Sequence, residues 1–152
     1  MSVGRVAADA GVSKPAIYLR YQSKRQLALA AIASLPAPRE PSVRAGDSIA
    51  RVAAILKGLA ADLGDEGFGL AASVRISQGS FPELAAKFTG AYTRPRLEQL
   101  SAALQASGLE ASKARAEAKQ ALGELYALHM MGGRPAKSWA QSTGARLLAV
   151  AD

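Results

Sequence analysis

Apolar residues recur along this sequence at steps of three and four, and this spacing restricts the possible fold more than any other feature. Between Ile49 and Leu63 they occupy positions 49, 52, 56, 59 and 63, a pattern typical of an amphipathic helix. Aromatic residues make up only 5% of the chain, while alanine and leucine are abundant, and this balance favours helices over sheets. We find no convincing strand, so the sequence predicts an all-α protein.

Capping residues, glycines and prolines mark the ends of the later helices. Ser80 and Glu83 form a capping box that predicts the start of a long helix, and Pro95 predicts a kink within it. Two further helices are predicted at about 110–131 and 138–150, separated by the run GGRP. The second half of the chain is therefore expected to form a helical bundle.

A helix-turn-helix pattern stands close to the first residue. A helical stretch from Val3 to Ala10 is followed by Gly11, which is free to take the positive φ of a tight turn. Ser13 can cap the next helix, and Pro15 suits its first turn. The second helix of such a motif can enter the major groove of DNA. An ordinary helical hairpin with solvated charges has the same spacing, so the residues alone leave both interpretations open.

A proline-rich stretch divides the chain into two parts. The run PAPREPSVRAG has three prolines within six residues and cannot continue the preceding helix. We therefore expect a helix-turn-helix segment at 1–35, a linker at 36–46 and a helical domain at 47–152.

Positive charge is concentrated near the N-terminus. The formal net charge is +7 and the pI is about 10.1, and residues 1–35 carry five basic residues against one acid. This distribution favours an anionic partner such as nucleic acid. The chain has no cysteine, no signal-peptide pattern and no apolar run long enough to span a bilayer. We expect a soluble cytoplasmic protein with no membrane partner.

Residues that carry catalytic or metal chemistry are sparse. His129 is the single histidine and no cysteine can assist it, which excludes a multi-histidine zinc site. The carboxylates are scattered without a close pair, and no serine stands in a nucleophile elbow. The run GFGLAA matches a dinucleotide-binding fingerprint only loosely, because it follows acidic residues rather than a strand. We expect neither an enzyme nor a protein with a metal or cofactor.

The N-terminal segment resembles the DNA-binding segment of the TetR family of bacterial transcriptional regulators. The run RVAADAGVSKPAIYLRYQSKRQLALAAI contains the family's AGVS turn and is similar to the LY…F…SK…L pattern that follows it. The matching positions are Ala7, Gly11, Val12, Ser13, Tyr18, Ser23, Lys24 and Leu27. Further along, FPELAAKFTGAYTRPRLEQL is similar to part of one common TetR-family C-terminal domain, and GGRP fits it as well.

The resemblance implies which side chains contact DNA. Ala16 departs from the family pattern, because this position is often a threonine whose hydroxyl meets the DNA backbone. The family also has a helix before the first one of this chain, so we expect the DNA-binding segment to be N-terminally incomplete. The positions that match the family's base and backbone contacts are Lys14, Pro15, Tyr18, Arg20 and, for a phosphate, Lys24.

The resemblance also implies a ligand cavity and a dimer surface in the second domain. Core packing explains each cavity candidate better when it is taken singly, and some of the dimer candidates must face the chain's own core. The cavity candidates are Phe68, Phe88, Tyr92, Tyr126, His129, Met130 and Met131. The dimer candidates are Leu122, Leu125, Trp139, Leu147 and Val150.

The sequence therefore predicts an all-helical homodimer that binds double-stranded operator DNA as a repressor. A small-molecule effector, whose identity the sequence does not reveal, would release it by favouring another arrangement of the subunits. The alternative is a dimeric helical module that binds a small molecule but does not read DNA by itself, because its DNA-binding segment is incomplete. Binding to the protein's own promoter DNA separates the two hypotheses.

Overall fold

The helices occupy most of the chain and follow one another with short connections. The computed structural model describes residues 2–44 and 46–149, without the side chains of residues 65–68 and 75–77. No strand occurs in these described ranges, which confirms the predicted all-α class. The helices are α1 (Val3–Asp9), α2 (Lys14–Arg20), α3 (Lys24–Ala33), α4 (Ser48–Asp62), α5 (Asp65–Ile76), α6 (Pro82–Phe88), α7 (Arg94–Ala106), α8 (Ala111–Met130) and α9 (Trp139–Leu148).

The turn between α1 and α2 has the predicted local chemistry. Gly11 has a φ of 64°, and the next residue, Val12, donates its N–H to the carbonyl of Ala7 at 3.0 Å. The hydroxyl of Ser13 accepts the N–H of Ala16 at 3.2 Å, so it caps α2 as expected. The reversal of the chain is therefore held by one left-handed glycine and by local hydrogen bonds that include these two.

The N-terminus of α3 has a variant of the capping box. The hydroxyl of Ser23 accepts the N–H of Gln26 at 3.1 Å, as the motif requires. The side-chain oxygen of Gln26, however, accepts the N–H of Gln22 at 2.9 Å. The reciprocal bond therefore reaches one residue further back and ties α3 to the segment that follows α2.

Two hydrophobic clusters of unequal size hold the helices together. In the N-terminal cluster the buried residues are Val3, Ala7 and Ile17. A much larger cluster fills the space among α4 to α9 and includes Ile32 from α3. Because Leu27 of α3 packs against the N-terminal cluster, this helix contacts both cores and carries the chain from one to the other.

The predicted kink at Pro95 takes the form of a π turn. Five residues, Thr89–Thr93, wind as a π-helix between α6 and α7, and Pro95 stands in the first turn of α7. Proline has no backbone N–H to donate, and the different hydrogen-bond pattern of the π turn accommodates this loss. The capping box predicted at Ser80 and Glu83 is wrong, because α6 begins at Pro82 without a side-chain cap. Glu83 instead pairs with Arg25 at 2.8 Å.

The C-terminal helices pack in a simple order, with α7 against both α4 and α8, and α9 against α4. Gly144 of α9 lies close to α4, since a Cβ at this position would stand 3.5 Å from the backbone nitrogen of Ala53. The predicted apolar stripe of α4 is buried from Val52 onward, but Ile49, in the first turn, is 59% exposed. The residues between α3 and α4 form no helix where they are described.

Candidate nucleic-acid interface

Five basic side chains lie on the N-terminal helices, and the structure divides them into two groups. Arg5 pairs with Asp9 of the same helix at 3.9 Å, and Arg25 pairs with Glu83 of α6 at 2.8 Å. Lys14, Arg20 and Lys24 are exposed and form no ion pair with the residues that the structure describes. These three unpaired cations are among the five residues predicted to contact DNA.

The surface of α2 presents most of the predicted contact residues. Ile17 is buried and anchors the helix on the N-terminal cluster, so the opposite face points to solvent. Lys14 and Pro15 are exposed in the first turn, and Tyr18 is 44% exposed. The guanidinium carbon of Arg20 lies 5.7 Å from the ring centre of Tyr21, a cation–π distance that restrains the side chain.

Leu19 is a surface residue that the sequence reasoning missed. It lies between Tyr18 and Arg20 on α2 and is 88% exposed, unusually high for a leucine. Apolar side chains on a recognition helix can contact the methyl group of thymine. The helical period predicts the exposure of Leu19, because a residue two positions after the buried Ile17 lies on the opposite face of the helix.

The N-terminus of α3 gathers polar groups beside Lys24, its first residue. The first N–H groups of a helix lack partners within the helix and favour an anion. The hydroxyl of Ser23 already accepts the N–H of Gln26, and the exposed Lys24 is the first residue of the helix beside the remaining N–H groups. This group of donors matches the contact expected for a DNA phosphate.

An apolar cleft opens beside the candidate reading surface. It has a volume of about 280 Å³ and lies between the side chains of α1, α2 and the start of α3. Val12, on its rim, is 47% exposed. The residues that line it are Val6, Ala10, Val12, Ala16, Ile17, Arg20, Tyr21 and Leu27. The N-terminal unit thus leaves a patch of its own apolar surface open.

The structure brings only some of the predicted cavity residues together. Phe88 and Tyr92 are buried and stacked, with their ring centres 5.0 Å apart. Tyr126 packs against the same core, and the Nδ1 atom of His129 lies 2.8 Å from the carbonyl oxygen of Leu125. Met130 and Met131 do not join the group, because they are 71% and 81% exposed at the end of α8. The side chain of Phe68 lies outside the described residues.

The predicted dimer residues lie mostly inside the chain's own core. Leu125 and Leu147 are fully buried in the single chain, and Leu122 is 8% exposed. Trp139 is half-buried against the same core, and Val150 lies outside the described residues. Because fully buried side chains have no surface left for a second subunit, Leu125 and Leu147 must be removed from the predicted interface.

The described residues contain no cluster of histidine, cysteine or carboxylate side chains that could hold a metal ion. Within the same part of the chain, no helix is both long enough and apolar enough to cross a membrane.

Comparison with protein families agrees with the geometry of the N-terminal helices. Residues 1–31 match the family model described as bacterial regulatory proteins, tetR family. The matched range contains the turn at Gly11, the whole of α2 and the first residues of α3, and therefore all three unpaired cations. A search of curated proteins finds no match to this chain.

Proposed function

We propose that this chain, whose residues 1–31 match the tetR family of bacterial regulatory proteins, is a dimeric transcriptional repressor. It binds a palindromic operator in the cytoplasm and is released from it by a small-molecule effector. The observation that carries the proposal is the set of three exposed, unpaired cations, Lys14, Arg20 and Lys24, on the surface of α2 and the start of α3.

Each of the proposed contacts has a distinct physical role. Lys14 and Arg20 stand at the two ends of α2, where a basic side chain can donate to guanine in the major groove. Pro15 and Tyr18 lie between them and approach the bases or the backbone. Lys24 binds a phosphate together with the N–H groups at the start of α3, which sets the orientation of α2 without reading sequence.

The effector and the second subunit are proposed to act through the C-terminal bundle. The effector binds among Phe88, Tyr92, Tyr126 and His129, where it must separate the stacked pair of rings in order to enter. It releases the operator if it binds a subunit arrangement other than the DNA-bound one more tightly.

The proposed dimer surface is the outer face of α8, since the inner face is used within the chain. Gly123, Ala127 and Met130 recur on this outer face at helical spacing and are exposed. Small residues allow two helices to approach closely, and Met130 and Met131 add exposed apolar surface beside them. A twofold dimer would present two copies of α2 to paired half-sites.

The decisive experiment measures fluorescence anisotropy of the 152-residue protein with DNA from its own promoter region and with a scrambled duplex. Lys24→Gln should weaken binding at all sequences and reduce the salt slope by about 1 for each contact removed. Arg20→Gln should weaken binding and also reduce the preference for the promoter, by about 1–3 kcal/mol of discrimination for a bidentate contact.

Lys57→Gln is the matched control, because Lys57 is exposed on α4, away from the N-terminal helices. If all three variants keep the wild-type affinity and salt slope, the assignment of these contacts is wrong. If the wild-type protein binds both duplexes equally, only the general attraction of the basic surface is explained.

A second candidate function follows from the open apolar cleft beside α2. The buried residues of the N-terminal cluster are few, and the cleft leaves Val12 exposed. A loosely held α2 favours a dimeric small-molecule-binding module that does not read DNA by itself. Absence of salt-sensitive binding to any duplex, with a dimer still present in sedimentation, would support this function instead.

A further inference from the structure

Arg96 is a charged side chain in the interior of the protein, and neither the DNA contacts nor the proposed effector site account for it. It lies on α7 and is 2% exposed. Burying a guanidinium group is unfavourable unless its donors all find partners. The structure provides these partners from three separate parts of the chain.

The strongest partner of Arg96 is Asp62, the last residue of α4. The Nη2 and Nε atoms of Arg96 both donate to Oδ2 of Asp62, at 2.6 Å and 3.0 Å. Nη1 donates to the carbonyl oxygen of Tyr92 in the π turn at 3.2 Å, and the guanidinium lies 3.7 Å from the centre of the Tyr92 ring. The arginine therefore joins α4, the π turn and α7.

The remaining partner belongs to the segment that leaves the N-terminal unit. Nη2 of Arg96 also donates to the carbonyl oxygen of Pro36 at 3.3 Å, three residues after the end of α3. Since α3 packs against the N-terminal cluster through Leu27, only part of α3 and residues 34–36 separate this carbonyl from that cluster. One guanidinium thus contacts the chain where the N-terminal unit joins the bundle.

We propose that Arg96 is a positioning residue that holds the α1–α3 unit at one angle on the bundle and couples this angle to the π turn. A displacement of Tyr92 moves Arg96, because the ring and the carbonyl of Tyr92 both contact the guanidinium. Arg96 in turn shifts its bond to Pro36 and changes the direction in which α2 points. The regulatory part of this inference, in which an effector displaces Tyr92, rests on the proposed function.

The ion pair between Arg25 and Glu83 provides a matched control. It also joins α3 to the bundle, at 2.8 Å, but the side chain of Arg25 is 59% exposed. Exposed ion pairs contribute little to holding two elements in one geometry. Arg25→Met should therefore leave the angle unchanged, whereas Arg96→Met should alter it.

The test measures this angle directly and does not depend on DNA. Because the chain has no cysteine, spin labels can be placed at Ala8→Cys on α1 and Lys119→Cys on α8, both exposed positions. A second pair, Lys57→Cys with Lys119→Cys, reports on the bundle alone. Distances are measured by double electron–electron resonance, with labelled protein diluted into unlabelled protein so that only pairs within one chain contribute.

Arg96→Met should shift or broaden the distance distribution of the first pair and leave that of the second pair unchanged. Arg96→Lys should give an intermediate result, because an ammonium can meet Asp62 but cannot span all three partners. An unchanged distance distribution for the first pair overturns the proposal. Equal broadening of the distributions of both pairs also overturns it, because this would indicate general loosening of the structure. If Arg96→Met does not fold, Asp62→Asn, at the partly exposed partner, answers the same question.

A DNA measurement then tests the consequence for binding. Arg96→Met should bind paired half-sites about tenfold more weakly than the wild type, within the usual range of coupling between sites, and a single half-site equally well. Equal loss on both duplexes contradicts the coupling. If the wild-type protein binds no operator, the proposed function fails, whereas the distance measurement still decides the role of Arg96.

Discussion

At the scale of single residues, the backbone conformation of Gly11 determines the direction in which the chain leaves α1. Its φ of 64° lies in the left-handed region, where a Cβ is unfavourable. No atom would obstruct an added Cβ at this point, so the constraint comes from the backbone alone. The orientation of α2 relative to α1, and with it the proposed DNA surface, depends on this conformation.

We expect Gly11→Ala to destabilise the N-terminal unit by about 1–2 kcal/mol, because alanine is strained at positive φ. Gly4→Ala is the control, since Gly4 lies within α1 at ordinary helical angles and alanine is the better helix former. Circular dichroism during thermal unfolding and operator affinity both measure the effect. Equal stability of the two variants would show that the turn does not need a glycine.

Tyr92 is the residue whose ionisation the fold changes most clearly. Burial raises the pKa of its phenol from 10.0 to about 12, although the positive charge of Arg96 opposes this shift. The folded protein therefore keeps the phenol protonated at pH values where the unfolded chain has lost the proton. The contribution of this phenol to the free energy of unfolding is fully present below pH 10. It falls between about pH 10 and 12, because the unfolded state releases its proton first.

We expect the urea midpoint of the wild type to drop more between pH 9 and pH 11 than that of Tyr92→Phe, which has no phenol to ionise at this position. Tyr18→Phe, which removes an exposed phenol, should retain the wild-type drop. If the urea midpoint of Tyr92→Phe falls as much as that of the wild type, groups other than Tyr92 cause the change.

At the scale of elements, the sequence predicted the helices well because their signals are local. The step of three and four residues, the glycine at position 11 and the cap at Ser13 all act within a few residues of one another. The sequence could not predict the π turn, because Pro95 signals only that an ordinary helix is disturbed. It also failed at Glu83, whose carboxylate is taken by a residue 58 positions earlier, Arg25.

The candidate sites were harder to predict than the helices, since periodicity gives the apolar face of a helix but not the surface that covers it. Leu125 and Leu147 were candidates for the dimer surface, and the structure places both in the chain's own core. Lys14, Arg20 and Lys24 were singled out by the family resemblance, and the structure describes all three as exposed. The burial of Arg96 depends on residues 34 and 60 positions away and left no local signal.

The contact between α9 and α4 gives a test at the same scale. A Cβ at Gly144 would meet Val52 and Ala53 at 3.6 and 3.5 Å, which are ordinary van der Waals distances. We expect Gly144→Ala to stabilise the protein by up to about 1 kcal/mol through helix propensity. Gly144→Leu should destabilise it by about 1–3 kcal/mol, because the larger side chain forces α9 away from α4.

Denaturant unfolding measures both changes, with Gly58→Leu as the control at a helical glycine that has open space around it. A tolerated leucine at position 144 would contradict the close packing of the two helices.

At the scale of the whole molecule, the proposed dimer surface can be tested with two helical glycines. Gly123 of α8 and Gly58 of α4 are both exposed, and an added Cβ meets no atom at either position. We expect Gly123→Arg to shift the protein towards the monomer, since a buried charge opposes close helix packing. Gly58→Arg should not do so. Sedimentation velocity at several concentrations measures the monomer–dimer equilibrium. If both variants become monomeric, or if neither does, the dimer interface lies elsewhere.

The unequal sizes of the two hydrophobic clusters lead to unequal local stability. The N-terminal cluster buries Val3, Ala7 and Ile17, whereas the bundle core joins α4 to α9. Segments with few buried contacts open at lower free energy than the global unfolding transition. We expect amide hydrogens of α1 and α2 to exchange with deuterium faster than those of α7 and α8, as measured by mass spectrometry. Uniform exchange rates along the chain would contradict this.

The expected difference in local stability gives α1 and α2, the proposed DNA-binding helices, a folding equilibrium of their own. Only the closed form of α1 and α2 can bind an operator, so the apparent affinity is reduced by the fraction of molecules that are open. Warming would lower the occupancy of the operator before the bundle begins to unfold, and bound DNA would slow amide exchange in α1 and α2 by mass action. Under the proposed function, the small N-terminal core makes the occupancy of the operator depend on temperature.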